Sequence, residues 1–403
     1  MALLSVADAL TRVLDGVAPL PAEPVALADA HRRVLAADLA ALRTQPPADV
    51  SAMDGYAVRA QDVAQAPAAL RVIGEVAAGR PFDGTIGPGE AARIFTGGVL
   101  PAGADTVVVQ ERTERDGACI TVTASTTRGR NVRARGLDFA QGQVLLSAGR
   151  LLSDRDLALA AAMNHPTVPV RRVPHVALLA TGDELVAPGT TPGPGQIVYS
   201  NGFALAALAR AHGAQVTDLG IVPDRIDSTI AAIDRAARDA ADILVTTGGA
   251  SVGDYDLVQP SLAARGMALS FWKVAVRPGR PMMHGALGPM RVLGLPGNPV
   301  SAYVCGFLFL VPLIRRMLGL APAEAATETA VLGRDLPGND ERADYLRATL
   351  ARGPDGRMVA TPFGVQDSSM VAYLAQADCL VIRAPHAAAA STGSPCSIVK
   401  FDR

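Results

Sequence analysis

Lysine is almost missing from this chain, because Lys273 and Lys400 are the two lysines among 37 basic residues and the others are arginines. A coding sequence biased toward arginine and alanine is one explanation for the shortage. Against that bias, the lysine retained at position 273 marks a candidate place that needs a compact ammonium group instead of a planar guanidinium.

Cysteine is also scarce, and its spacing excludes several kinds of site. The four cysteines include no CxxC pair, and the six histidines show no HExxH motif and no mixed Cys/His spacing suited to zinc. We therefore expect no zinc site and a reduced, cytoplasmic protein.

A strong net charge and a long apolar segment are lacking as well. The formal net charge is −1, and we find no basic patch of the kind that indicates nucleic-acid binding. Residues 1–17 predict an amphipathic helix and not a signal peptide, because Asp8 and Asp15 interrupt it. The apolar run 300–314 is shorter than the about 20 residues that a spanning helix needs and is interrupted by Pro312. We predict a buried helix there, and no membrane partner.

The length of 403 residues indicates several domains. A second helical stretch is predicted from Val34 to Arg43, ending before Pro46. Short β-rich runs separated by Gly and Pro turns fill residues 51–142, and a further helix is predicted over residues 151–163. We expect a helical N-terminal domain, formed by residues 1–45 and 143–172, with an inserted β-domain at residues 46–142.

From residue 176 onward, predicted strands alternate with predicted helices. The strands are expected at 176–180, 216–222 and 243–246, and the helices at 201–212 and 226–241. This order is typical of a parallel sheet covered on both faces, in which ligands bind beyond the carboxyl ends of the strands. The predicted fold class is multidomain α/β, with this doubly wound domain at residues 173–322 and a C-terminal β-domain at residues 323–403.

Three glycine-rich turns, at residues 246–256, 277–281 and 294–301, each follow an apolar run of strand character. Backbone N–H groups in such turns can hold a phosphate-like anion. Asp254 and Asp256 accompany the first turn, and Lys273, Arg277 and Arg280 surround the second. Because carboxylates can hold Mg²⁺ and basic groups can hold an oxyanion, the pattern favours phosphoryl-type transfer.

Each of these charged positions also has a purely structural interpretation. Asp54 precedes Gly55, and Asp-Gly is a common turn pair. Glu184 follows a predicted strand, where a helix N-cap is equally suitable. Loop arginines are usually solvated. The residues alone leave both interpretations open.

Five motifs occur along the chain: Ser51-Ala52-Met53-Asp54-Gly55-Tyr56-Ala57-Val58, Thr96-Gly97-Gly98, Ala180-Thr181-Gly182-Asp183-Glu184-Leu185, Thr246 to Asp256, and Gly294 to Ser301. Together they resemble the motifs of the molybdopterin molybdenumtransferases, the MoeA family that includes the gephyrin E domain. The resemblance spans nearly the whole chain.

The resemblance implies a reaction and a set of partners. Adenylylated molybdopterin and molybdate would give molybdenum cofactor and AMP, with Mg²⁺ as the cation. The implied assembly is a homodimer whose active site lies between the parallel-sheet domain of one subunit and the β-domain of the other. Molybdopterin adenylyltransferase and apo-molybdoenzymes are the implied protein partners.

The resemblance also assigns roles to individual residues. The implied catalytic residues are Asp54, Thr96, Asp138, Glu184, Asp224, Asp256 and Lys273. The implied cation ligands are Glu184, Asp224, Asp254 and Asp256. The implied substrate-binding residues are Gly248, Gly249, Ser251, Gly253, Arg277, Arg280, Pro296, Pro299, Ser301 and Arg342.

Some positions depart from the family pattern. Arg277 and Arg280 replace lysines that are common in the family's turn, and Leu137 stands where Glu often precedes the aspartate. Ala372 or Tyr373 stands where the family often has a hydroxyl residue. Two other functions stay open. The adenylyltransferase that makes the adenylylated pterin is one, because that activity belongs to a related α/β domain. A cofactor-binding scaffold without turnover is the other, because of the changed hydroxyl position.

Overall fold

The computed structural model describes residues 3–248, 257–321 and 326–401. The chain divides into two compact units. The larger unit comprises Met1–Glu23, Arg32–Ala36 and Val170–Arg403, and the smaller unit comprises Pro24–His31 and Ala37–Pro169.

The first helix, α1 (Val6–Leu14), confirms the amphipathic helix predicted near the start of the chain. The Ser5 side chain caps it by accepting a hydrogen bond from a backbone N–H three residues later. Ala9 and Val13 are fully buried in the same apolar cluster as Val176 of the sheet. Helix α1 therefore packs on the core of the larger unit.

The segment from residue 22 to residue 171 consists mainly of short strands. Its elements are β1 (Ala22–Ala26), a 3₁₀ turn (Leu27–Asp29), β2 (Leu39–Ala40), β3 (Val50–Ser51), β4 (Gly55–Val58), a 3₁₀ turn (Ala60–Val63), β5 (Ala68–Val76), β6 (Glu90–Ile94), β7 (Thr106–Val109), a 3₁₀ turn (Gln110–Arg112), β8 (Thr113–Asp116), β9 (Cys119–Val122), β10 (Val132–Arg133), β11 (Val144–Leu146), α2 (Asp154–Ala162) and β12 (Thr167–Arg171).

Six of these strands form the main sheet of the smaller unit, in the order β7-β4-β6-β5-β9-β8. Tyr56, Leu70 and Ile120 fill the core on one side of it. The β-rich fold expected for residues 51–142 is confirmed, and so is the following helix, which appears as α2.

The helix predicted from Val34 to Arg43 is wrong. Strand β2 occupies Leu39–Ala40 and pairs with β11 instead. The carbonyl of Ala40 accepts a hydrogen bond from His165 Nε2 at 2.8 Å, and the N–H of Ala41 donates to the Gln143 carbonyl at 2.9 Å. These backbone groups are satisfied by distant parts of the chain, which overrides the local helical pattern.

The larger unit continues with a mixed α/β domain. Its elements are β13 (His175–Thr181), β14 (Leu185–Val186), β15 (Ile197–Val198), α3 (Asn201–Ala211), β16 (Gln215–Val222), α4 (Ile226–Arg238), β17 (Ile243–Thr247), α5 (Val258–Ala264), β18 (Ala268–Trp272), β19 (Val276–Arg277), β20 (Met283–Leu287), β21 (Met290–Leu295), α6 (Pro299–Cys305), a π-helical segment (Gly306–Leu310) and α7 (Val311–Met317).

The sheet of this domain has the strand order β16-β13-β17-β21-β20-β18. The first four strands are parallel, which confirms the predicted α/β fold class, and β20 and β18 add an antiparallel edge. Leu178 and Val245 face a cluster that contains α3 and α6, whereas Leu179 and Leu244 face a cluster that contains α4 and α5. The parallel strands are therefore apolar on both faces, as a sheet between two helical layers requires.

Asp242 joins the starts of two central strands. Its carboxylate accepts hydrogen bonds from Arg172 at 2.7 and 3.0 Å and from the backbone N–H of His175 at 2.8 Å. The Asp242 side chain is 14% exposed. This carboxylate anchors the strand edge opposite the one where the glycine-rich turns emerge.

The apolar run at residues 271–276, which precedes the second glycine-rich turn and has strand character in the sequence, is divided in the structure. Strand β18 ends at Trp272, and β19 begins at Val276 and pairs with a strand of the C-terminal sheet. Lys273 lies between them with φ of +85°, a conformation that turns the chain out of the sheet of the α/β domain.

Among the described residues, one helix has the length and composition of a membrane span. It runs from Pro299 to Met317 without a break, and 78% of its most apolar window is buried inside the structure. The expectation that Pro312 interrupts this apolar run is wrong. The wider π turn just before it, in which the Val311 N–H bonds to the Gly306 carbonyl, accommodates a residue without a backbone donor. The burial agrees with the predicted core helix.

The C-terminal part forms a barrel-like sheet. Its elements are β22 (Glu328–Leu332), β23 (Ala343–Arg352), β24 (Met358–Pro362), α8 (Val371–Gln376), β25 (Cys379–Arg383) and β26 (Pro395–Lys400). Strands pair in the order β23-β24-β22-β26-β25, and β25 also pairs with β23, which closes the ring. The predicted C-terminal β fold is confirmed, with β19 added alongside β23.

Candidate active site

Four parallel strands of the larger unit end at one edge of the sheet, and residues predicted for the site follow them. Glu184 comes after β13, Asp224 after β16, Gly248 after β17 and Pro296 after β21. Strand β18 runs in the same direction, because it is antiparallel to β20, which is antiparallel to β21. Lys273 therefore also leaves the sheet at this edge.

Gly248 is required by the local backbone. Its φ is +86°, and a Cβ atom added there would lie 2.6 Å from the carbonyl oxygen of Thr181. A side chain would meet both an unfavourable backbone angle and a steric overlap. The loops after β13 and β17 therefore approach each other closely only because this residue is glycine.

Two acidic loops at the same edge bind each other, because each donates a backbone N–H to an aspartate carboxylate of the other. The Asp183 N–H donates to Asp224 Oδ2 at 3.2 Å, and the Asp224 N–H donates to Asp183 Oδ1 at 3.1 Å. The exposed Glu184 follows directly. These carboxylates are hard oxygen ligands of the kind that Mg²⁺ takes.

The remaining predicted cation ligands and part of the first glycine-rich turn lie outside the described residues. Within the described ranges, no group of three His, Cys, Asp or Glu side chains is arranged to hold a metal. The predicted residues that the structure does not describe are Gly249, Ser251, Gly253, Asp254 and Asp256.

A cavity of about 550 Å³ opens at this edge of the α/β domain. Three of the predicted substrate-binding residues line it, namely Gly248, Pro296 and Pro299. Further lining comes from Tyr199 and from Ser369 of the C-terminal part. The cavity joins the turns after β17 and β21 into one concave surface.

The turn after β21 is held from two sides. Asn201 Nδ2 donates to the Gly297 carbonyl at 2.7 Å, and the Val300 N–H donates to the Ser368 carbonyl at 3.0 Å. Ser301 is 4% exposed on the first turn of α6. The turn is therefore fixed relative to the start of α3 and to the C-terminal segment.

Arg277 and Arg342, both predicted to bind an oxyanion, belong to one network with two aspartates. Arg277 donates to Asp344 through Nε at 2.7 Å and Nη2 at 3.0 Å. Arg342 donates to Asp340 through Nη2 at 2.6 Å. Asp344 and Asp340 respectively raise the pKa of the Arg277 and Arg342 guanidinium groups. The pairing of β19 with β23 places Arg277 directly opposite Asp344.

Lys273 and Arg280 flank Arg277 in the sequence. The Lys273 N–H donates to the Met282 carbonyl at 2.8 Å, and its Nζ lies 5.4 Å from the centre of the Trp272 ring. Arg280 is exposed, and its carbonyl accepts the N–H groups of Val274 and Met282, both at 3.1 Å. The backbone of the turn is thus ordered while the Arg280 side chain reaches solvent.

The smaller unit brings two other predicted residues together. Asp54 Oδ1 accepts from the Thr96 N–H at 2.7 Å and from its hydroxyl at 2.8 Å. These two hydrogen bonds, with a smaller effect of Arg93, lower the pKa of Asp54. Asp138 is exposed, and its N–H donates to the Gln45 carbonyl at 3.0 Å. Among the described contacts, no side-chain bond joins Asp138 to the Asp54 and Thr96 pair.

Comparisons with known proteins give matches along most of the chain. Family models match residues 4–164 as "MoeA N-terminal region (domain I and II)", residues 177–316 as "Probable molybdopterin binding domain" and residues 329–401 as "MoeA C-terminal region (domain IV)". A molybdopterin molybdenumtransferase of Nostoc sp. is 40% identical over 336 residues, covering 81% of this chain and 77% of the relative. The chain belongs to the MoeA family. A second relative of the same name, from Bacillus subtilis, is 36% identical and covers 89% of this chain and 85% of its own.

A solved structure extends the agreement to three dimensions. The MoeA protein from Pyrococcus horikosii has a TM-score of 0.88 at 30% identity, with all of both chains covered. This match confirms the multidomain MoeA architecture that the motifs predicted.

Several residues of this MoeA chain that shape the site were missed by sequence reasoning. Asp183, Asn201, Asp340 and Asp344 all bind predicted site residues or their turns. Asp183 precedes Glu184, so its place in the motif was a usable signal. No local pattern pointed to Asp344, because its partner Arg277 lies 67 positions away in the sequence.

Proposed function

We propose that this chain transfers molybdenum from molybdate to adenylylated molybdopterin and releases AMP. The observation that carries the proposal, in a chain of the MoeA family, is the cavity at the carboxyl edge of the parallel sheet. It is lined by Gly248, by Pro281 of the basic turn and by Leu185, which follows the acidic residues after β13. Phosphate, cation and oxyanion need neighbouring sites in this reaction, and this edge supplies groups suited to each.

The chain's own residues have separable tasks in the proposed reaction. The glycine at position 248 admits the nucleotide phosphates close to the backbone, and the turn 296–301 opens helix α6, whose N-terminal end attracts anions. Lys273 contributes a compact positive charge to the phosphates. Arg277 and Arg342 hold the molybdate oxygens through their guanidinium N–H groups.

We infer that magnesium binds next to the acidic loops. Glu184 and Asp224 would hold it directly or through its waters together with Asp254 and Asp256 of the first glycine-rich turn, because the described carboxylates alone form no metal site. When bound, Mg²⁺ supplies positive charge that offsets the charge developing on the cleaved phosphate bond.

The residues of the smaller unit complete the proposal. Asp54, held by Thr96, and the exposed Asp138 act in the same reaction, as the family resemblance implies. We further propose that the protein works as a homodimer, which sedimentation of the purified protein tests directly.

The test of the proposed reaction is AMP release from adenylylated molybdopterin by the purified protein with Mg²⁺, in the presence and absence of molybdate. Release that depends on molybdate and is lost in Lys273→Ala supports the proposal. ATP consumption with release of pyrophosphate, on addition of molybdopterin that is not adenylylated, would indicate the adenylyltransferase. Tight pterin binding without AMP release would indicate a scaffold.

A further inference from the structure

The Asp340 carboxylate lies between the two arginines assigned to oxyanion binding. Its Oδ2 is 2.6 Å from Arg342 Nη2 and 3.7 Å from Arg277 Nη1. Its Oδ1 accepts from the backbone N–H of Arg342 at 3.0 Å and from Nε at 3.2 Å. One carboxylate therefore spans the gap between both guanidinium groups.

Asp344 holds the same cluster in a different way. It is 5% exposed and accepts two hydrogen bonds from one edge of Arg277. The side chains of Arg277 and Asp340 are 44% and 36% exposed. Asp344 thus anchors Arg277 from the protein side, whereas Asp340 occupies the side of the cluster that solvent and ligands reach.

We propose that Asp340 stands in for the substrate oxyanion and is displaced when a tetrahedral dianion binds between Arg277 and Arg342. This inference rests on the proposed function, which gives the two arginines their role in oxyanion binding. A carboxylate and a tetrahedral oxyanion present similar oxygen pairs to a guanidinium group, so the two compete for the same N–H donors.

Charge adds to the competition. Asp340, Asp344 and Glu341 together outweigh the charge of the two arginines, so a dianion that approaches the intact cluster gains no net attraction. Hydrogen bonds from Arg342 hold the pKa of Asp340 far below its ordinary value, so the carboxylate stays ionised at neutral pH. The competitor is therefore always present and is removed only by movement of its own segment.

The test is calorimetric titration of sodium molybdate into the full-length protein and into the Asp340→Asn variant. The asparagine keeps the size of the side chain and removes its charge. Removing one negative charge about 5 Å from a dianion in a solvent-exposed site is expected to tighten molybdate binding about tenfold. A purely structural role for Asp340 predicts weaker binding, so unchanged or weaker affinity would overturn the inference.

The chain offers a matched control in the same barrel. Asp355 accepts from the N–H of Arg357 at 3.1 Å and from its Nε at 2.6 Å, which repeats the spacing of Asp340 and Arg342. Asp355→Asn removes the same charge from the turn between β23 and β24 and is expected to leave molybdate affinity unchanged. An equal gain in both variants would reduce the effect to overall charge and overturn the inference.

Parallel AMP-release assays separate this inference from the proposed function. If the wild type releases AMP with molybdate but Asp340→Asn gains no affinity, the displacement idea fails and the proposed function stands. If Asp340→Asn gains affinity while the wild type releases no AMP, the anion competition is supported and the proposed reaction fails.

Discussion

Replacement of Gly248 by alanine tests whether the edge of the sheet depends on the close approach of two loops. The substitution places a Cβ atom 2.6 Å from the Thr181 carbonyl oxygen at a residue with φ of +86°. Gly266 provides a matched control, because its φ is +82° and nothing lies within 4 Å of the added Cβ. Both variants place an alanine at a positive φ, and only Gly248→Ala also creates a steric overlap.

The magnitudes follow from these two terms. An L residue in the left-handed region costs about 1–2 kcal/mol, and alanine returns about 0.4–1 kcal/mol by restricting the unfolded chain. Gly266→Ala should therefore lower the free energy of unfolding by about 1 kcal/mol. Gly248→Ala adds the displacement of a backbone carbonyl, which costs about 1–3 kcal/mol more.

Urea unfolding of both variants measures the difference, and AMP release measures its effect on the site. A shift of about 1 Å in the turn is enough to lower the rate about a hundredfold, so Gly248→Ala should lose activity while Gly266→Ala keeps it. Equal destabilisation of the two variants would refute the steric argument. Full activity of Gly248→Ala would refute its link to the site.

Three further predictions follow from single contacts. Asp242→Ala should lower the free energy of unfolding by about 2–3 kcal/mol, because it removes the shared partner of Arg172 and the His175 N–H. Asp239→Ala removes an exposed ion pair with Arg235 at 3.7 Å and should lower it by less than about 0.5 kcal/mol, with both values measured by urea unfolding. Lys273→Gly should raise the free energy of unfolding by about 1 kcal/mol, because it relieves backbone strain, and should abolish molybdate-dependent AMP release. A variant less stable than the wild type would contradict the argument from backbone strain. The lowered pKa of Asp54 stabilises the folded state above the unfolded-state pKa, and this stabilisation is lost as pH falls through the folded-state pKa. The stability difference between wild type and Asp54→Asn should therefore shrink toward acid pH, and a pH-independent difference contradicts this.

The parallel core of the fold could be predicted because its signals are local and long. Helix α4 carries an apolar stripe of helical period, and the strand at residues 243–247 is a continuous apolar run. Loops at the carboxyl edge follow from the topology of such a sheet. The glycine at position 248 could therefore be placed at this edge before its contacts were known.

Other features depend on contacts that no local pattern encodes. The segment near Leu39 has helical spacing, but pairing with β11 satisfies its backbone groups more completely. Lys273 interrupts an apolar run through its backbone angle, which its side-chain type does not reveal. The pairing of Arg277 with Asp344 depends on the register of β19 against β23. Sequence reasoning therefore identified the arginines but not the carboxylates that hold them.

The most direct test of the proposed function is to measure AMP and pterin-bound molybdenum in the same reaction, starting from adenylylated molybdopterin, molybdate and Mg²⁺. The account predicts equal amounts of the two products, with both lost in Lys273→Ala. AMP released without molybdenum bound to the pterin, or in equal amount without molybdate, would contradict it.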